Sequence, residues 1–500
     1  MKNLIPSKTD VRWISWVVIS AVIVYGYSLF NFTMSIDNEF TDLFAQKISI
    51  GRWGGAFLKE TILPSPYSPY FTHLIFCVFL CLSAILVSKL LKFNEFYSGV
   101  FSVLCVSFPS FFYQADFAMQ SDAVSIGMFL GVVSAALIIS ALENKSDSLC
   151  FWSKLFFSVI FYCLSISVYQ SIVTTAIGVV LLFYSKSYFE NNRCLNAKKI
   201  GFLIFWSVLA IVCYSGLTKF FQFYFNVPAS SYLLNQVGWL SSGWDVNIAI
   251  IYNKIVSLLL GFNYYGESLF FVSSLSFFVF LAVLIYKKKG MVSVLISIAS
   301  FFSPFFLVFI LASDLPPRSF TFQSFVYAYF ICVIASYFNS QKHMRNIAIA
   351  YCVISVWSGG FVYSKLMFSD YMSWQADKLL ASQIVSEIRN SVPEYKDGIT
   401  PVYFHGSLNR VNIWKPKNSD AFGGSFFQWD GGNNLRIREF MRVNMIANIS
   451  SPTKSKALSL SSVIKTKPSW PEKASVFIAD GIVVVKLGDH YGELGGMKPE

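Results

Sequence analysis

A chain of 500 residues that is 55% hydrophobic and only 13% charged, with 52 phenylalanines, excludes a soluble globular protein, whose surface could not be covered by so few polar groups. The formal net charge of +12 does not point to nucleic acid, because most cations fall in short loops between apolar segments. Composition leaves a polytopic membrane protein.

Lys2, Lys8 and Arg12 precede an apolar run too long for a signal-peptide core, and no small-residue cleavage site follows it. The run is read as a retained first helix. Eleven apolar segments are expected to cross the bilayer, near 13–30, 71–91, 96–112, 122–142, 155–169, 171–185, 201–219, 268–286, 291–312, 319–338 and 346–364. A crossing takes about 20 apolar residues, so the short fifth and sixth segments could also form one kinked helix. Cations gather in alternate loops: Lys89 and Lys92; Lys145 and Lys154; Lys186, Arg193, Lys198 and Lys199; Lys287, Lys288 and Lys289; Lys342 and Arg345. Cytoplasmic loops are rich in Lys and Arg, so the N-terminus is expected inside and everything after about Ser364 outside.

The first outer loop holds Ser35-Ile36-Asp37-Asn38-Glu39-Phe40, directly after the first span. Carboxylates at the lip of a membrane helix are costly unless they have a partner or a function. Asp37 and Glu39 are candidate catalytic acids; the alternative is a helix cap and a solvated charge. Residues two apart share a side in an extended segment and oppose each other on a helix. The same loop continues through an amphipathic stretch, 40–50, to Gly51-Arg52-Trp53-Gly54-Gly55. Other outer features are Asp116 and Asp122, a tight turn at Ser167-Val168-Tyr169-Gln170, an aromatic-rich stretch over 219–267 with Trp239 and Trp244, and Asp314-Leu315-Pro316-Pro317-Arg318. Asp122 has the position of a helix N-cap. From about Lys365 the apolar runs stop. The spacing predicts a helix over 370–391 and strands at 401–405, 475–478 and 482–487, the last two joined by Asp480-Gly481. A transmembrane domain over 1–364 and a small α/β domain over 365–500 are expected. None of the nine cysteines has zinc-site spacing, no phosphate-binding Gly loop occurs, and no metal or other cofactor is expected.

Sugar transfer needs a carboxylate to take the proton of the attacking hydroxyl and cations to stabilise a leaving phosphate. Asp37 and Glu39 suit the first task. Arg52 and Arg318 suit the second, since guanidinium pairs bidentately with phosphate, although each could instead anchor at the bilayer surface. Asp116, Tyr169 and Gln170 are candidate substrate-binding residues. Trp414 and Trp429 suit either sugar faces or the headgroup zone.

Ser35-Ile36-Asp37-Asn38-Glu39 followed by Gly51-Arg52-Trp53-Gly54 resembles the bacterial, often prophage-borne, type II O-antigen glucosyltransferases that convert serotype. Ser165-Ile166-Ser167-Val168-Tyr169-Gln170, Ser469-Trp470-Pro471 and Ile482-Val483-Val484-Val485-Lys486-Leu487 extend the likeness along the chain. The resemblance implies a GT-C-like, multi-pass inner-membrane enzyme. Its donor would be undecaprenyl-phosphate-glucose and its acceptor the O-antigen of lipopolysaccharide, on the periplasmic side. A lipid-glucose flippase and a polyprenyl-phosphate glucosyltransferase would accompany it. The family's acids are often adjacent, whereas Asn38 separates Asp37 from Glu39 here. The competing readings are an O-antigen polymerase, which would carry a large outer loop mid-chain, and a flippase or transporter of lipid-linked sugar, which would show repeats and charges within the spans.

Overall fold

The computed structural model describes residues 8–143, 147–191, 195–338 and 342–489; Lys2, Lys145, Arg193 and Cys194 lie outside them. The chain divides into two compact units, Met1–Asn31 with Asp42–Ser364 and Phe32–Thr41 with Lys365–Glu500.

Apolar runs become helices because hydrocarbon offers the backbone no other hydrogen-bond partner. The first unit runs through α1 (Lys8–Phe30), α2 (Phe44–Ser49), α3 (Trp53–Thr61), α4 (Pro69–Leu90), α5 (Glu95–Ser107), α6 (Phe112–Ala115), α7 (Ser121–Glu143), α8 (Ser148–Val168), α9 (Val173–Asn191) and α10 (Ala197–Tyr224). It continues through α11 (Tyr232–Asn235), α12 (Gly238–Ser241), α13 (Trp244–Leu260), α14 (Phe270–Tyr286), α15 (Met291–Phe302), α16 (Phe306–Leu311) and α17 (Gln323–Tyr337). Among the described residues nine helices are long and apolar enough to cross a membrane, or ten if the pair Glu95–Ser107 and Pro109–Ala115, bent by 44°, is one span. The remaining apolar segment of the eleven expected is α17, only 15 residues long. The fifth and sixth segments are separate helices, parted by extended backbone at Tyr169. The chain is a multi-pass helical membrane protein. Lipid gives helices no hydrophobic reason to associate, so small and polar residues must supply the contact. Between α7 and α8, Ser134 Oγ donates to the Ser158 carbonyl at 2.6 Å and Ser158 Oγ to the Ser134 carbonyl at 2.9 Å.

The α18 helix (Lys342–Ser391) is a single 50-residue element. The sequence reading expected a span over 346–364 and a separate helix from 370; no proline lies in between to part them. The stretch expected to be amphipathic over 40–50 is helical only over Phe44–Ser49.

In the second unit β1 (Val402–His405), β2 (Val476–Ala479) and β3 (Ile482–Lys486) form a sheet of order β1-β3-β2. β3 pairs antiparallel with β2 and parallel with β1, Val402 opposite Val483 and His405 opposite Lys486. Every residue of β1 and β3 is buried, as expected of a parallel pair covered on both faces. On one face Tyr403, Ile482 and Val484 pack against Ala457, Leu460 and Ile464.

Candidate active site

The acid loop belongs to the second unit. Ser35 Oγ donates to Asp370 Oδ2 of α18 at 2.7 Å, and Ile36 is buried beside Gly424. Backbone bonds from Asn38 N to the Ser35 carbonyl, 3.1 Å, and from Phe40 N to the Asp37 carbonyl, 3.3 Å, close a turn. Asp37 sits in the left-handed region with φ +77°. That conformation costs a non-glycine residue about 1–2 kcal/mol, least for Asn and Asp. The segment is thus neither extended nor helical, and the turn brings both acids to one guanidinium.

That guanidinium is Arg436, which sequence reasoning missed. Its Nη2 donates to Asp37 Oδ1 at 3.0 Å, and its Nη1 bonds Glu39 Oε1. Asp430 Oδ2 accepts from Nε at 3.2 Å and from Nη2 at 2.7 Å. Local structure fixes the cation. Arg436 lies in the first turn of α19 (Asn434–Val443), whose cap Asn433 accepts from the backbone N–H groups of Leu435 and Arg436. The Asn434 amide pins the same turn to β1, accepting from Phe404 N and donating to Phe404 O, each at 2.9 Å. Before it, Gly432 adopts φ +82°, and a Cβ there would collide with the Gly406 carbonyl. Ile437, Phe440 and Met441 are buried along the same helix and anchor it. The Arg436 side chain is 6% exposed, Glu39 fully buried and Asp37 32% exposed. Burial pushes the Glu39 carboxyl from its usual 4.5 up to about 8; Arg436 opposes that shift and Asp37 adds to it.

In the first unit Gly51-Arg52-Trp53 has a structural logic. Gly51, at φ +81°, ends α2, while Gly51 N and Arg52 N bond the carbonyls of Ile48 and Lys47. Trp53 buries against Ile48, Ala56 and Cys163, and its Nε1 donates to Thr218 Oγ1 at 3.2 Å. Arg52 is thereby held half-buried. Its Nε donates to Gln170 Oε1 at 2.9 Å and its guanidinium lies 4.3 Å from the centre of the Tyr169 ring. Gln170 Nε2 in turn donates to the Ile50 carbonyl at 2.6 Å and to Tyr214 Oη at 3.2 Å. Among the described residues no carboxylate pairs with Arg52. The turn Gln170–Ile172 packs against Pro317–Phe320, which packs against α6. Arg318 lies 4.5 Å over Phe117, next to buried Asp116.

Two lysines beside this group were also missed. Burial lowers the Lys47 ammonium from 10.5 to about 8, with Lys59 and Arg52 adding like-charge repulsion. Burial lowers Lys59 as well, against the pull of Asp122. The Lys59–Asp122 pair is 2.8 Å apart and almost fully buried. Asp122 lies in the first turn of α7 and is thus the partner of a buried cation, not the cap expected.

Asp37 and Glu39 therefore share one cation in the second unit, while Arg52, Tyr169 and Gln170 form one group in the first, with the segments of Asp116 and Arg318 packed next to it. The model of the family described as glucosyl transferase GtrII matches residues 26–354, which include all seven of these residues but not Arg436. No curated protein matches the chain.

Proposed function

The chain belongs to the glucosyl transferase GtrII family, and from that premise we propose that it moves glucose from undecaprenyl-phosphate-glucose to the O-antigen of lipopolysaccharide, on the periplasmic side of the bacterial inner membrane. The observation that carries the chemistry is the seat of Asp37, a partly exposed carboxylate held in a constrained turn by a buried guanidinium.

Asp37 takes the proton of an acceptor hydroxyl as its oxygen attacks the anomeric carbon of the lipid-linked glucose. The bond from that carbon to the phosphate oxygen breaks, and undecaprenyl phosphate leaves with the electron pair. Arg52 and Arg318 hold the departing phosphate. Arg52 suits this task because a neutral amide and an aromatic ring position it without cancelling its charge. Asp116, Tyr169 and Gln170 line the donor site. Glu39, buried and raised toward neutrality, shares the proton of the pair. The alternating basic loops support a cytoplasmic N-terminus and a periplasmic second unit. That unit presents the polymeric acceptor. A lipid donor gives a sugar transferase reason to be embedded in a membrane; a flippase and a polyprenyl-phosphate glucosyltransferase would supply it.

The test is a composition and linkage analysis of O-antigen from cells with and without the chain, the donor-making partners being present in both. Glucose branches that depend on the chain are expected. A change in polymer length or export without new glucose would overturn the reading.

A further inference from the structure

We propose that Arg436 is the positioning residue of the acid pair, assigning Asp37 to the acceptor and Glu39 to the interior, so that transfer requires the second unit as well as the segment matched by the family. This inference rests on the transferase reading above.

The geometry is asymmetric. One planar guanidinium engages three carboxylates through different N–H groups: Asp430 on Nε and Nη2, Glu39 on Nη1, Asp37 on the remaining side of Nη2. Glu39 is sealed, whereas Asp37 and Asp430 are about one-third exposed. The two acids of one loop thus occupy unequal seats because a single rigid fork sorts them. A lysine could neutralise charge here but could not hold three carboxylates in a plane. The pairing joins residues 399 apart in the sequence. Asn433, Asn434 and Gly432 fix Arg436 from its own side, while Ser35 on Asp370 fixes the acid loop from the other.

The charge balance points the same way. Three ionised carboxylates on one guanidinium would leave two uncompensated charges, largely buried, so a retained proton is favoured. The groups facing Glu39 are Asp37 on its own loop and Arg436 on α19, with Asp430 reached through Arg436. At the end of the loop Arg442 binds Thr41 and Glu439. Glu39 is the carboxylate sealed from solvent, and burial raises it toward neutrality, which makes it the holder of that proton.

The experiment measures initial rates of glucose transfer by the full-length protein in detergent, per folded molecule, over pH about 5 to 9. The variants are Asp37→Asn, Arg436→Gln and Arg436→Lys, with Arg438→Gln as control because Arg438 bonds Ser451 and Glu439 instead. Loss of the guanidinium removes the charge favouring ionised carboxylates, so Arg436→Gln should slow transfer and move the acidic limb of the profile to higher pH. Arg436→Lys keeps the charge and loses the fork; the limb should stay, with a rate about tenfold lower. Arg438→Gln should match the parent. An inactive Asp37→Asn beside Arg436 variants that match the parent in rate and limb would overturn this inference alone. An active Asp37→Asn would overturn the role of Asp37 and this inference with it. If Arg436→Gln does not accumulate, Arg436→Lys decides: a slowed enzyme supports positioning, parental rates overturn it, and failure of both to accumulate assigns Arg436 to folding.

Discussion

Arg436 and Arg52 are both buried or half-buried arginines beside candidate site residues, yet their surroundings differ in kind. Arg436 is saturated by three carboxylates in the second unit. Arg52, in the first, is held by the Gln170 amide and the Tyr169 ring, with no acid among the described residues. A guanidinium enclosed by anions can organise them but has no charge left for a ligand. One oriented by neutral groups keeps its charge for an incoming phosphate. Lys47 and Lys59 add cations beside Arg52, and Lys59 is ion-paired with Asp122. The proposed mechanism uses that contrast, with proton handling in the second unit and the lipid phosphate in the first.

Four substitutions would break or sharpen that contrast. The largest effect is expected from Lys59→Met, which strands the buried Asp122 carboxylate at a cost of about 3–5 kcal/mol. Thermal unfolding in detergent would show it; an unchanged melting temperature would mean that the pair is not needed. The next concerns pH. Glu39 binds its proton more tightly folded than unfolded, so its contribution to stability is complete below about 4.5 and is lost as pH rises through about 8. Melting temperatures should fall over that window in the parent and fall less in Glu39→Gln; equal slopes would contradict the burial argument. Arg52→Ala removes charge-assisted contacts worth about 1.5–3 kcal/mol, raising the donor KM roughly tenfold to a hundredfold with little change in acceptor KM. The smallest effect belongs to Gln170→Leu, which leaves the charge of Arg52 but frees its orientation, at about 1 kcal/mol or fivefold in the same KM. Should Gln170→Leu prove as damaging as Arg52→Ala, the direct contact of Gln170 with the donor would outweigh its hold on Arg52.

What the sequence made legible follows from the range of the forces involved. Apolar runs of bilayer length announce helices directly, and Ser148–Val168 and Val173–Asn191 emerged where short segments had been marked. The Asp480-Gly481 hairpin was visible because its turn chemistry is local. The tenth apolar segment, expected over 319–338, fell short because Gln323–Tyr337 starts only after the turn at Arg318. Arg436 was invisible for the opposite reason: no local spacing encodes a contact between residues 399 apart. The Asn433 cap and the Ile437, Phe440, Met441 spacing are helix signals that the sequence reading left unused, and an arginine on that first turn was a signal that could have been followed. Lys59 and Asp122 lie 63 residues apart, so the acid looked like a cap when only its neighbours were considered.

The most direct measurement uses purified parent protein and Asp37→Asn in liposomes supplied with polyprenyl-phosphate-glucose, radiolabelled in the sugar, and with lipopolysaccharide acceptor. The account predicts label on the acceptor with the parent and a rate lower by about 10²–10⁴-fold with Asp37→Asn, donor binding being unchanged. Equal rates for the two proteins would remove Asp37 from the chemistry and leave the acid pair as a structural ion cluster.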